Sequence, residues 1–324
     1  AEWGTLRIFD FASGAATEKT RDWGLVQLIG RWQSVTAADV DSDARMDLIA
    51  GNWGENSFYN QSADHQPYLY YGDFNGQGSV EMIEGYRNTR DPNKILPWRD
   101  MQVLAPALPW LPQKFATHTA FAGATIPQIL AGRKFTETRT TSVKSTLIFN
   151  RGEKLAFVPL PREAQYTPVF GIAARDFDND GFTDIALAQN FFAVRDDDGS
   201  LDAGRSLLLH GAADAKLALM PASASGLIAY GEQRGLATLD FNHDGREDLV
   251  LAQNGGETKF FENKSSKTGV RLRLRGSATN PDAIGAQVRI DDGRLLVLQC
   301  GSGYWSQSSL MQIIPAGTRK IEVR

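Results

Sequence analysis

Short apolar or alternating stretches along this chain are broken repeatedly by turns rich in aspartate and glycine. "VFGIAARDF" runs into such a turn and is followed by "DIALAQN"; "GLATLDF" is followed in the same way by "DLVLAQN". Period-two stretches of this length on either side of a glycine-containing turn predict β-hairpins. One region has a different rhythm. In "QKFATHTAFAGATIPQILAGRKF", Phe115, Thr119 and Phe121 fall on related faces with Ile126, Ile129 and Leu130, which predicts a helical excursion over about 98–135. No apolar run approaches the ~18 residues that a membrane-spanning helix requires.

The hairpins repeat. "GIAARDFDNDGFTDIALAQN" from Gly171 aligns without gaps on "GLATLDFNHDGREDLVLAQN" from Gly235, at an offset of 64 residues. Asp176, Asp180, Gly181 and Asp184 fall on Asp240, Asp244, Gly245 and Asp248, and Asp178 becomes Asn242. A third copy, "AADVDSDARMDLIAGNWG", carries Asp39, Asp41, Asp43 and Asp47 but has Ala44 in place of the glycine. A weaker fourth, "YGDFNGQGSVEMIEGY", carries Asp73, Asn75, Gln77, Gly78 and Glu81. Repetition of this kind predicts a repeat architecture. Four strands per unit of about 40–65 residues suggest the blades of a β-propeller. The 34-residue step from Asp39 to Asp73 suggests that those two loops share one blade.

Carboxylates this close together repel, and a cation among them relieves the repulsion. Calcium takes about six to eight hard oxygen ligands. In D-x-[DN]-x-D-G-x-x-D, alternate positions 1, 3 and 5 turn the same way, glycine takes the turn at position 6, a carbonyl at position 7 faces inward, and position 9 closes the set. The candidate ligands are therefore Asp176, Asp178, Asp180, Phe182 and Asp184; Asp240, Asn242, Asp244, Arg246 and Asp248; Asp39, Asp41, Asp43, Arg45 and Asp47; and Asp73, Asn75, Gln77, Ser79 and Glu81. Phe182, Arg246, Arg45 and Ser79 would contribute through their backbone carbonyls. An EF-hand needs flanking helices and a glutamate at position 12. Position 12 is Leu187, Leu251 or Ala50 in three copies, and Glu84 in the fourth lies between strand-like flanks. The alternative is that the loops are solvated Asx turns, since the same residues favour turns.

Composition narrows the class. At 42% hydrophobic and 22% charged, the 324 residues suit ordinary globular structure. The single Cys300 allows no internal disulfide, which fits a cytosolic protein or a secreted one stabilised otherwise. Net charge is −4, unevenly spread. From Lys264 onward there are ten Lys and Arg against four Asp and Glu, so that segment carries +6 and the remainder −10. The polar stretch "ENKSSKTG" marks the boundary, dividing 1–263 from a small β-domain over 268–324. Nucleic acid is a poor partner for the acidic part.

Catalytic signatures are lacking. His65, His118, His210 and His243 are scattered, and neither H-E-x-x-H nor G-x-S-x-G occurs. His243 is expected at the surface. "VRLRLR" places Arg271, Arg273 and Arg275 on one strand face, an exposed stripe able to meet an anionic glycan. "RDDDGSLD", 195–202, reads as an acidic turn or a further cation site. Trp23, Trp32 and Trp53 suit either inter-blade wedges or a sugar-stacking surface, and Asn60 and Asn263 begin N-x-S sequons.

The aspartate hairpins resemble the FG-GAP or VCBS repeats of integrin-α-like β-propellers. The tail, "GVRLRLRGSATNPDAIGAQVRI" followed by "GSGYWSQSS", resembles the ASPIC/UnbV domain found after such repeats in bacterial secreted proteins and in the cartilage acidic protein family. The tail resemblance rests on Asn280, Asp282, Ala283, Gly285, Gly301, Gly303, Tyr304, Ser306 and Gln307. It implies an extracellular, calcium-bound, all-β protein for protein or glycan binding or adhesion, with no catalytic residues to carry over. A carbohydrate-active propeller, either a lectin or a polysaccharide lyase, is the alternative. Some 265 residues before the tail are enough for about four blades, whereas integrin-α-like propellers usually close with about seven. "WGTLRIFDFASGAATEKTRDW" reads like the trailing strands of a blade. The expectation is therefore a partial propeller, with further blades from a longer chain or another subunit.

Overall fold

A computed structural model of the chain describes residues 2–12, 14–57, 59, 66–195, 198–291 and 293–324. His65, the Asn60 sequon, and Asp196 and Asp197 of the acidic turn lie outside the described residues. The protein is β-rich, 35% strand against 9% helix, and is built of small antiparallel sheets, none of them closed among the described residues. It divides into two compact units. One comprises Ala1–Arg21, Leu25–Arg31 and Phe58–Val143, the other Asp22–Gly24, Trp32–Ser57 and Lys144–Arg324.

The second unit holds three hairpin sheets of one design. Their strand orders are Leu155–Pro159, Thr146–Asn150, Asp47–Gly51 and Ser34–Ala38; Val169–Arg175, Asp184–Gln189, Leu207–His210 and Ala218–Leu219; and Glu232–Leu239, Asp248–Asn254 and Lys259–Phe261. The registers match: Ala38 pairs with Asp47, Arg175 with Asp184, and Leu239 with Asp248. Each acidic loop thus begins one residue after a pair that ends on the ninth-position aspartate. The strands read as nearly continuous apolar runs because both faces are covered. Ile49, Leu147, Val169, Ile172, Ile185, Leu187 and Leu209 form one core, and Ala173, Ala186, Ala188, Leu236 and Leu251 a second.

The tail forms two smaller sheets around Val288, Ile290, Leu298 and Ile314. Gly269–Leu272 pairs with Gln312–Pro315, and Gln287–Ile290 lies between Leu295–Val297 and Ile321–Val323. The strand of "VRLRLR" ends at Leu272, so its three arginines do not form one strand face.

In the first unit, Thr136–Arg139, Pro67–Gly72, Glu81–Arg87 and Ile95–Pro97 form one sheet, in that order. Four short helices lie between its strands Ile95–Pro97 and Thr136–Arg139 in the chain: Met101–Leu104, Leu111–Lys114, His118–Ala122 and Ile126–Ile129. Side-chain caps open three of them. Asp100 accepts from the Val103 N–H, Thr117 from that of Ala120, and Thr125 forms a capping box with Gln128. Phe121, Ile126, Ile129 and Leu130 are fully buried with Tyr70 and Ile83, and so hold the helices on the sheet. Thr119 is exposed.

One expectation is corrected. The Asp39 and Asp73 loops do not share a sheet. Asp47–Gly51 takes Thr146–Asn150 as its outer neighbour, and the whole Asp73 sheet is formed by chain lying between those two strands. The short step therefore separates two sheets, because strand pairing skips across almost a hundred intervening residues.

Candidate metal-binding loops

All four loops share one backbone conformation. Positions 4 and 6 both have positive φ: Ser42 and Ala44, Gly76 and Gly78, Asn179 and Gly181, His243 and Gly245. Two successive left-handed corners turn backbone N–H groups inward, and the first aspartate collects them. Asp176 Oδ1 accepts from the Asp180 N–H at 3.0 Å, and Oδ2 from that of Gly181 at 2.9 Å. Asp39 accepts equivalently from Asp43 and Ala44, Asp73 from Gln77 and Gly78, and Asp240 from Asp244 and Gly245. Ala44 therefore adopts the glycine conformation without being glycine, and the Asp73 loop has it despite its amides.

The ninth position joins the loop to its sheet. Asp47, Asp184 and Asp248 each accept from the N–H of position 2 at 2.9–3.0 Å, and at 2.8 Å from an N–H at or just past the end of the third strand, that of Asn150, Gly211 or Asn263. Glu81 fills the same place in the Asp73 loop, accepting from the Phe74 N–H at 2.7 Å. Burial and the neighbouring acids push Asp47 and Asp184 up to about 6. Asn263 also donates through Nδ2 to the carbonyls of Phe177 and Glu247, so its sequon amide is engaged within the fold.

Within the second unit, the tail reaches the first aspartate of every loop. Leu295 N–H donates to Asp39 Oδ2 at 2.8 Å, Arg294 Nη1 meets Asp176 Oδ2 at 3.0 Å, and Arg271 Nε meets Asp240 Oδ2 at 2.9 Å. Sequence reasoning missed these partners, since nothing in the spacing ties residues so far apart.

The middle of each loop differs in its countercharge. In the Asp39 loop, Arg151 pairs with Asp41 and lies 3.6 Å from Asp43, which also pairs with Arg45. In the Asp240 loop, Arg246 meets Asp244 at 2.8 Å, and Asn242 bridges Asp244 and Glu262. Burial there is outweighed by the hydrogen bonds from Asn242 and Arg246, and Asp244 lies below its ordinary range. No arginine among the described residues reaches Asp178 or Asp180. His210 stands there instead, Nδ1 3.1 Å from Asp184 and 3.8 Å from Asp178, and Nε2 3.8 Å from Asp180. Burial and the adjacent Asp180 charge raise Asp178. His210 precedes the Gly211 N–H just as Glu262 precedes that of Asn263, and aligning the third strands would have found it.

Three groups bring candidate ligand atoms within 4.8 Å of one another: Asp39, Asp41 and Asp43; Asp176, Asp178 and Asp180; and Asp178, Asp184 and His210. These acidic clusters could hold a metal ion. The donor sets fit a hard divalent cation, being mainly carboxylate, with one imidazole within reach. Asp41 Oδ1 is buried and has no hydrogen-bond donor among the described residues, leaving it free to ligate. The Asp73 and Asp240 loops form no such group.

Elsewhere, Trp32 and Trp53 are buried, and Trp53 packs on Phe191 at 5.2 Å. His243 is exposed. Trp305, which the sequence reading passed over within "GSGYWSQSS", is 91% exposed and has a positive φ. No described helix is long and apolar enough to cross a membrane. No protein-family model matches the chain, and no curated protein matches it.

Proposed function

We propose that this chain is a non-catalytic, calcium-stabilised binding module of FG-GAP/VCBS type. Its hairpin sheets would serve as propeller blades, its C-terminal part as an ASPIC/UnbV-like domain, and its surface as an adhesion site outside the cell for a protein or glycan. The observation that carries this reading is the recurrence of one loop conformation four times, with a first aspartate that accepts the backbone N–H groups of positions 5 and 6 and a ninth-position acid that accepts that of position 2. The acids at positions 1 and 9 hold the turn, and in the Asp39 and Asp176 loops the further acids at positions 3 and 5 join the first to bring ligand atoms within 4.8 Å of one another.

The Asp176 loop is the principal ion site in this reading. Asp178 and Asp180 have only an imidazole facing them, whereas arginines already neutralise the middle of the Asp39 and Asp240 loops. When bound, calcium would supply charge neutralisation and cross-link the loop, with no part in bond making. An ion at a hundredfold its dissociation constant stabilises the fold by about 2.7 kcal/mol. His210 supports a second choice of ion, because manganese and zinc accept imidazole more readily than calcium does. Among the possible partners, a glycan is favoured by Trp305, whose exposed ring offers a flat face for a sugar.

Thermal unfolding in excess calcium, in EGTA, and with manganese or zinc, together with metal counting, tests the reading. A rise in melting temperature with calcium, abolished in Asp178→Asn/Asp180→Asn, is the expected result. No bound ion and no shift with any metal would leave the loops as polar turns and remove the calcium reading. Crystallography would test the propeller separately.

A further inference from the structure

We propose that the outer face of the third hairpin sheet, formed by Glu232–Leu239, Asp248–Asn254 and Lys259–Phe261, is a surface on which two copies of this chain associate about a two-fold axis. The repeat itself singles out the face. Position 2 of every acidic loop is a large apolar residue: Val40, Phe74, Phe177 and Phe241. The first three are 2%, 3% and 6% exposed, whereas Phe241 is 65% exposed.

What covers Phe177 shows what Phe241 lacks. Phe177 joins Ala173, Ala186 and Ala188 on the face of the second sheet that packs against Leu236, Leu249 and Leu251 of the third. The 64-residue offset carries Ala173, Phe177 and Ala186 onto Ala237, Phe241 and Val250. Side chains alternate across a strand, so Ala237, Leu239 and Val250 lie on the opposite face from those leucines. All three are partly exposed. Phe260 pairs with Val250, is 46% exposed, and sets its ring 5.2 Å from that of Phe241. A contiguous exposed apolar face of this kind marks an interaction surface.

The residues on the face select a second copy over another sheet seated as the third is on the second. Between those two sheets, Arg175 reaches across towards the buried Glu247. The same offset puts Leu239 in the place of Arg175, and Val250 in that of the smaller Ala186. A sheet docked in the internal manner would bring its acid against Leu239, a costly burial, and its leucines against the bulkier Val250. A second copy of this face brings only apolar side chains to its centre. A two-fold axis lets the Phe241 and Phe260 rings of each copy pack on the smaller Ala237 and Val250 of the other, each contact being made twice. Beside Phe260, Glu262 already pairs with Lys264, so association strands no lone charge there. A face of three short strands is smaller than the ~800 Å2 per partner of a standard interface, so the dimer is reversible, with a dissociation constant of roughly micromolar order.

Sedimentation velocity across the micromolar range, on the wild type and on Phe241→Ser/Phe260→Ser, tests the proposal. The wild type is expected to pass from the mass of one chain to that of two as concentration rises. The double variant should associate at least about tenfold more weakly, because two aromatic anchors are gone. A wild type that stays at one chain throughout, or a dimer that the double variant retains, overturns the proposal. So does association that continues beyond two chains, since a two-fold interface closes on itself. Should the double variant fail to fold, methyl NMR of the wild type decides. Concentration-dependent shifts at the Val250 and Leu239 methyls support the interface, and their absence there removes it. The inference does not rest on calcium, and with the runs made in both calcium and EGTA its failure is distinguishable from failure of the ion reading.

Discussion

Arg294 meets Asp176 at 3.0 Å, with the two side chains only 6% and 3% exposed, although 118 residues separate them in the chain. The pair holds the tail against the first aspartate of the loop whose middle has no arginine. Removing one member of a buried pair strands the other charge, at a cost of about 3–5 kcal/mol, whereas replacing both with uncharged groups is often close to neutral. Arg294→Ala is therefore expected to destabilise by that amount in urea unfolding, with Arg294→Met/Asp176→Asn recovering most of it. A loss below ~1 kcal/mol in the single variant would mean that the pair does not anchor the tail.

The sixth loop position separates backbone strain from packing. Gly181 has open space where a Cβ would lie, so Gly181→Ala should cost only left-handed strain, about 1–2 kcal/mol. At Gly245 an added Cβ would lie 2.5 Å from the Gly269 carbonyl oxygen, in the strand where the tail sheet begins. Gly245→Ala should cost ~1–3 kcal/mol more. The reverse change, Ala44→Gly, relieves φ +63° and should stabilise by about 0.5–1 kcal/mol. Equal losses for the two alanine variants in chemical denaturation would contradict the contact at Gly269.

Arg45 and Arg151 pair with the middle acids of the Asp39 loop. Arg45→Ala and Arg151→Ala each remove a positive charge beside Asp43 or Asp41. Calcium affinity at this loop should rise by about tenfold per arginine, an effect worth ~1.4 kcal/mol. Titration calorimetry of the double variant reads this directly, and unchanged binding would show that the arginines do not compete.

Two of the three buried ninth-position aspartates, Asp47 and Asp184, make the metal-free protein sensitive to pH. Asp47 and Asp184, at about 6 in the fold, lie above the roughly 3.9 of an unfolded aspartate. The folded chain therefore holds these protons more tightly than the unfolded chain. Stability is greatest below the unfolded value and declines as pH rises from ~4 through ~6, by up to about 3 kcal/mol per group. In EGTA, these two acids make the melting temperature higher at pH 5 than at pH 7.5, and Asp47→Asn should flatten that difference. A calcium-loaded protein should show the opposite slope, because the ion requires ionised ligands. The same slope with and without calcium would remove these carboxylates from the ion site.

Hairpins and their acidic loops were legible in the sequence, because strand periodicity, glycine corners and aspartate spacing are local and this chain repeats them. Ala44 stood out in the sequence as a departure from the repeat, yet it takes the left-handed backbone of position 6. What the sequence could not determine was pairing at a distance. Which strand follows Asp47–Gly51, which tail residue meets each first aspartate, and whether Asp178 faces an arginine or His210 all depend on how separate elements pack. The local pattern determines the turn and its inward acids. The countercharges come from Arg151, Arg271 and Arg294, and these, like the imidazole of His210, reach the loops only once the sheets and tail have assembled, so the electrostatics of each loop were decided by the tertiary structure.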